Sequence, residues 1–93
     1  MKDLSPQQKK EFIKRSHDLH PVVMIGNKGL TDTVNNEIEI ALNAHELIKI
    51  KIAGQDREGR SALLSTISEV HKATLIQEIG MIGIFYRKRE EVA

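Results

Sequence analysis

Residues Leu47 to Ala53 alternate cleanly, with Ile48, Ile50 and Ile52 facing one way and Lys49 and Lys51 the other. Such alternation specifies a half-buried strand. A pattern of helical period stands on each side of it. Before it, Val34, Ile38, Ala41 and Leu42 recur at helical spacing, which predicts a second helix from Asp32 to about His45. After it, Asp56 can cap a third helix from about Arg57 to His71, with Leu63, Leu64, Ile67 and Val70 as its core stripe. A strand enclosed by two amphipathic helices restricts the chain to layered α/β architectures.

The rest of the chain extends the pattern. Ser5-Pro6-Gln7-Gln8 offers a cap, a proline at the first helical position and a capping box, so a first helix runs from Pro6 to about His17. Val22 to Ile25 is a short apolar run between Pro21 and Gly26 and reads as a strand. Thr74 to Ile79 and Ile82 to Arg87 are strands joined by Gly80-Met81, which suits a type II′ hairpin turn. The order is α-β-α-β-α-β-β, a small α/β sandwich with three helices and a mixed four-stranded sheet. Helical crossovers imply parallel pairs, and the hairpin adds an antiparallel strand. At 93 residues the chain is one domain over 1–93, its tail from about 87 expected to fray.

Composition narrows the chemistry. Cysteine is absent, which removes disulfides, thiolate nucleophiles and cysteine zinc sites. His17, His20, His45 and His71 lie in separate segments and form no metal-ligand pair; His45 and His71 fall near helix ends, where imidazole suits the dipole. Neither a G-x-S-x-G elbow nor a Walker-type phosphate loop is present, so catalysis is not expected, and no cofactor or small-molecule substrate with it. Without an apolar signal or span, a cytoplasmic protein with no membrane partner is expected. The net charge is only +1, so any nucleic-acid site must come from where charges sit. Phe12, Phe85 and Tyr86 are the whole aromatic set, too few for a platform that stacks bases.

One stretch concentrates the features of an anion site. Strand, glycine loop and helix start follow one another through Gly26-Asn27-Lys28-Gly29 to Thr31-Asp32. Backbone N–H groups at a helix N-terminus attract phosphate, glycines allow its close approach, and Lys28 adds a full charge. Two glycines between a strand and a helix can equally be turn chemistry alone. Lys10, Lys14 and His17 share a narrow sector of the first helix with Ile13 beside them, and Arg57 and Arg60 lie on one side of the third helix's first turn. Each set is either a solvated face or a phosphate contact. Arg57 and Arg60 have Asp56 and Glu58 as alternative partners.

The chain resembles the CRM domain, the RNA-binding module of chloroplast RNA splicing and ribosome maturation, in its stand-alone bacterial YhbY form. The resemblance runs from Arg15 to about Arg87. It is carried by His17-Asp18-Leu19-His20-Pro21-Val22-Val23, Ile25 to Thr31, Glu37-Ile38 with Ala41-Leu42, His45 to Ile52, Asp56-Arg57, Ile79-Gly80 and Tyr86-Arg87. It implies a fold similar to the C-terminal domain of translation initiation factor 3 with an added N-terminal helix. It also implies that the Gly26–Gly29 loop contacts RNA, that the lysine stripe of the first helix falls beside it, and that the partner is ribosomal RNA in precursors of the large subunit. No oligomer is implied. Gly26, Asn27, Lys28, Gly29, Thr31, Lys10, Lys14, Arg15, His17 and Arg57 are the resulting candidate RNA contacts. His20 and Met81 stand where the family usually has basic residues. A second reading is a protein-interaction module of the translation machinery that uses the acidic face of the second helix.

Overall fold

A computed structural model of the protein describes residues 4–89. Its elements are α1 (Pro6–Ser16), β1 (Pro21–Ile25), α2 (Asp32–His45), β2 (Leu47–Ile52), α3 (Arg57–His71), β3 (Thr74–Ile79) and β4 (Ile82–Tyr86). The strands form one mixed sheet in the order β1-β2-β4-β3. β1 pairs parallel with β2, while β4 runs antiparallel to both β2 and β3.

That order corrects one expectation. The crossover through α3 makes β3 run in the same direction as β2, yet the two are not hydrogen-bonded neighbours, because β4 occupies the place between them. The hairpin folds back inward instead of adding an outer strand. Gly80 has a φ of +55° and Met81 a negative one, the signature of a type II′ turn.

Both sheet faces are covered. Ile48, Ile50 and Ile52 of β2 meet Ile38, Ala41 and Leu42 of α2 and Leu64 and Ile67 of α3 in the main core. Gly83 makes this contact possible, since a Cβ there would lie 2.4 Å from the Leu64 side chain. On the opposite face Phe12 and Ile13 of α1 pack on Leu47, Ile76 and Ile84. Phe12 stacks on Tyr86 with ring centroids 4.2 Å apart, which fixes a helix with only a thin apolar strip.

Two further expectations fail at the lower end of the sheet, and for one reason. Val70 was the expected last member of the α3 stripe but is 58% exposed, and His71 is buried in its stead. The His71 ring can be buried because both nitrogens have partners: Nδ1 lies 2.5 Å from Glu39 Oε2, and Nε2 lies 2.8 Å from Asn35 Oδ1. Arg87, expected to begin a fraying tail, completes the cluster. Its guanidinium donates to Glu39 Oε2, to the His71 carbonyl and to Asn43 Oδ1 at 2.9–3.0 Å, and its N–H bonds Glu46 O. The Arg89 N–H donates to the Glu46 carboxylate. Residues 90–93, the remainder of the expected tail, lie outside the described residues. The same contacts engage much of the acidic side of α2 inside the chain.

This clasp carries a pH signature. Hydrogen bonds from Arg87 and then His71 hold the Glu39 carboxyl below its ordinary pKa. A carboxyl whose folded pKa is depressed contributes stability that is present above the unfolded value and is lost as pH falls through the folded one. Urea unfolding from pH 7 towards pH 3 should therefore show a loss that Glu39→Gln flattens. Arg87→Ala should cost on the order of 1–3 kcal/mol at pH 7, because the partly buried acceptors it serves lose their donor.

Candidate nucleic-acid interface

Parallel pairing of β1 with β2 brings their carboxyl ends side by side. The 26–29 loop and the 53–56 loop therefore emerge together, followed by the N-termini of α2 and α3. Three contacts tie this end of the sheet. The Ala53 N–H donates to Ile25 O, the Ile52 N–H donates to Met81 O, and Asn27 lies over Gly54 so closely that a Cβ there would sit 1.7 Å from Asn27 Oδ1. Gly54 has a φ of +76°, so its conformation and its lack of a side chain both serve the packing of Asn27.

The 26–29 loop is a tight turn in which the Gly29 N–H donates to Gly26 O over 3.1 Å. Gly29 takes a φ of +70°, beyond which Thr31 caps α2 by accepting the Val34 N–H on its hydroxyl. Among the described residues the Asn27 and Lys28 N–H groups have no hydrogen-bond partner. A Cβ built on Gly26 would meet nothing within 4 Å, so the backbone is open to close approach at that point. Lys28 is exposed at the tip. Free donors, an open backbone, a cation and a helix N-terminus are the components of a phosphate cradle. Asp32, in the first turn of α2, works against it.

The other candidate residues fall into two groups. Arg57 stands at the start of α3, at the same end of the sheet as the loop, and Arg60 lies one turn on. Their alternative partners are not engaged: Asp56 caps α3 by accepting the Gly59 N–H at 2.7 Å, and among the described residues neither arginine forms an ion pair. Lys10 and Lys14 are exposed on α1 and His17 at its C-cap, and the helix reaches β1 at the strand's opposite end. β1 separates that end from the loop by roughly 16 Å, the rise of five residues. The stripe is thus at a distance from the loop, not packed beside it. Lys49 and Lys51 are half-buried on the strand that pairs with β1. The Arg15 guanidinium lies 5.4 Å above the Phe12 ring and covers the α1 packing. His20 is exposed near the far end of β1, while Met81 is at the hairpin, close to Arg57 and Arg60 through Gly80.

Sequence reasoning missed Gly54 and Asn27 as a packed pair. The signal was a glycine immediately after the alternating strand, which reads only as a turn until β1 and β2 are known to be parallel.

The CRS1 / YhbY (CRM) domain profile matches residues 4–87. A Haemophilus influenzae protein named "RNA-binding protein" is 48% identical over 91 residues, covering 98% of this chain and 92% of that one. The Pseudomonas aeruginosa "Probable RNA-binding protein PA4753" is 44% identical over 85 residues, covering 91% of this chain and 82% of that one. A solution structure from Staphylococcus aureus, of a candidate RNA-binding protein, superposes with a TM-score of 0.82 at 28% identity, over 96% of this chain and 93% of that one.

The glycines of this end should respond differently to a methyl group. Gly54→Ala forces a left-handed alanine into the Asn27 side chain and should lower stability by about 1–3 kcal/mol. Gly26→Ala, with open space and no positive φ, should change stability by less than about 0.5 kcal/mol. Urea titration of the two variants beside the parent chain measures both.

Proposed function

The chain belongs to the CRS1/YhbY (CRM) domain family, and from that premise we propose that it is a non-catalytic RNA-binding protein that engages ribosomal RNA during assembly of the large ribosomal subunit. The observation that carries the proposal is the 26–29 loop, with N–H groups at Asn27 and Lys28 that have no partner among the described residues and open backbone at Gly26. Backbone N–H groups recognise phosphate without reading bases, which suits a chain with three aromatic side chains and little net charge. Arg57 and Lys28 supply charge at the same end of the sheet, and Lys10, Lys14 and His17 extend the positive surface towards the other end. The relatives' names support the RNA partner. The family resemblance supports the ribosomal setting.

Protein contact through the acidic side of α2 has less support. Glu39, Asn35 and Asn43 already serve His71 and Arg87, and Glu46 serves the Arg89 backbone.

The decisive variant is Gly26→Asp, which places a carboxylate where phosphate would approach while leaving a tolerant backbone position. Ribosomal RNA binding by the parent chain should weaken with rising salt, by a slope of about 0.7–0.9 per phosphate neutralised. Gly26→Asp should bind at least tenfold more weakly with an unchanged unfolding midpoint. On a sucrose gradient of a cell lysate, the parent should travel with large-subunit-sized particles and the variant should stay at the top. Equal RNA binding by the two chains overturns the loop as the anchor; a parent that stays at the top at low salt overturns the ribosomal setting.

A further inference from the structure

Between the start of α3 and the β3–β4 turn lies a cleft of about 340 Å3, lined by Arg57, Arg60, Ser61, Glu78 and Gly80. Its two walls have opposite chemistry. One carries Arg57 and Arg60, which have no carboxylate partner among the described residues. Arg60 Nη1 donates to the Gln55 carbonyl, and its Nε is buried without a hydrogen-bond partner. The other wall carries Glu78, held by the Ser61 hydroxyl, which lies 3.2 and 3.3 Å from its two oxygens. Glu78 likewise has no ion-pair partner among the described residues, although Arg57 and Arg60 line the same cleft.

Cations and a fixed carboxylate that face one space without neutralising each other can both be satisfied by a ligand that carries an anion at one end and N–H donors at the other. A nucleotide is such a ligand, with its phosphate for the arginines and the pairing edge of its base for the carboxylate. The edges differ in what they offer. Guanine presents two adjacent N–H donors, at N1 and N2, which match the two carboxylate oxygens. Adenine and cytosine present an amino group next to a ring nitrogen acceptor, and uracil presents one N–H between two carbonyls. Each of these sets an acceptor against a carboxylate oxygen. We propose that the Arg57–Glu78 cleft receives one guanine nucleotide of the bound RNA, the arginines holding its phosphate and Glu78 its pairing edge. This rests on the RNA-binding reading above and adds base selection to a backbone contact.

The test is fluorescence anisotropy of the full chain at low salt with four labelled uridine 20-mers, one all-uridine and three with a central guanine, adenine or cytosine. A ribosomal RNA transcript is titrated beside them. The parent chain should bind the guanine oligomer about tenfold more tightly than the other three, the discrimination expected of one bidentate base contact. Glu78→Gln, nearly isosteric and still able to accept the Ser61 hydroxyl, should abolish the guanine preference without weakening the all-uridine complex. Arg57→Gln should weaken all four complexes alike. Parent binding within twofold across the four oligomers, or an intact preference in Glu78→Gln, overturns the cleft assignment and leaves RNA binding standing. Binding of the transcript but of none of the oligomers also overturns the cleft alone. Failure to bind either overturns both.

Discussion

Everything at the candidate interface depends on the parallel pairing of β1 with β2. In an antiparallel pair the 26–29 loop and the 53–56 loop would leave from opposite ends of the sheet. In the parallel pair they leave together, and so do the two helices that follow them. The pairing is secured by side chains that share one face, Val23 and Ile25 of β1 with Ile50 and Ile52 of β2, all essentially inaccessible to solvent. Hydrophobic burial thus places two glycine-bearing loops and two positive helix ends together, before any contact among the loops is made. The contact of Asn27 with Gly54 refines a placement that the core has already made.

Charge is deployed on the same plan. A chain with 14 basic and 13 acidic side chains has no field to spare, so the cations must be kept from partners at one end and given them at the other. At the lower end Arg87 is spent on Glu39, His71 and Asn43. At the upper end Asp56 faces a backbone N–H and Glu78 a hydroxyl, which leaves Arg57 and Arg60 without carboxylate partners among the described residues. A cap and a hydroxyl occupy two of the carboxylates nearest these arginines.

The elements were legible because each has its own period and its own punctuation: Ser5-Pro6, Thr31 and Asp56 at the helix starts, and Gly80 at the hairpin. What could not be read was long-range. The insertion of β4 between β2 and β3 leaves no local trace, since both the observed order and a simple succession of strands are compatible with the same helices and the same turn. His71 escaped for a related reason. Its burial is set by Asn35 and Glu39, more than thirty positions away in sequence, and without them a histidine at a helix end reads as surface. Arg87 follows the same logic, as its partners lie on α2 and α3. Within the candidate site, the loop and Arg57 were visible as motif and spacing, while the distance of the α1 stripe from that loop emerged only once the helix was seen to join β1 at its far end.

The central place of β4 has a consequence for how the molecule comes into being. Ile82–Tyr86 is the last strand in chain order, yet it is the one to which both β2 and β3 are bonded. Without it, β1 with β2 and β3 with its helix share no strand pairing, and each is left with an open edge. The pairing of β2 with β4 joins parts of the chain more than thirty residues apart, the kind of non-local contact that makes folding slow relative to local helix formation. A nascent chain that stops short of Ile82 lacks the middle of its sheet, and its two halves can meet only through the helices, where His71 of α3 reaches Asn35 and Glu39 of α2.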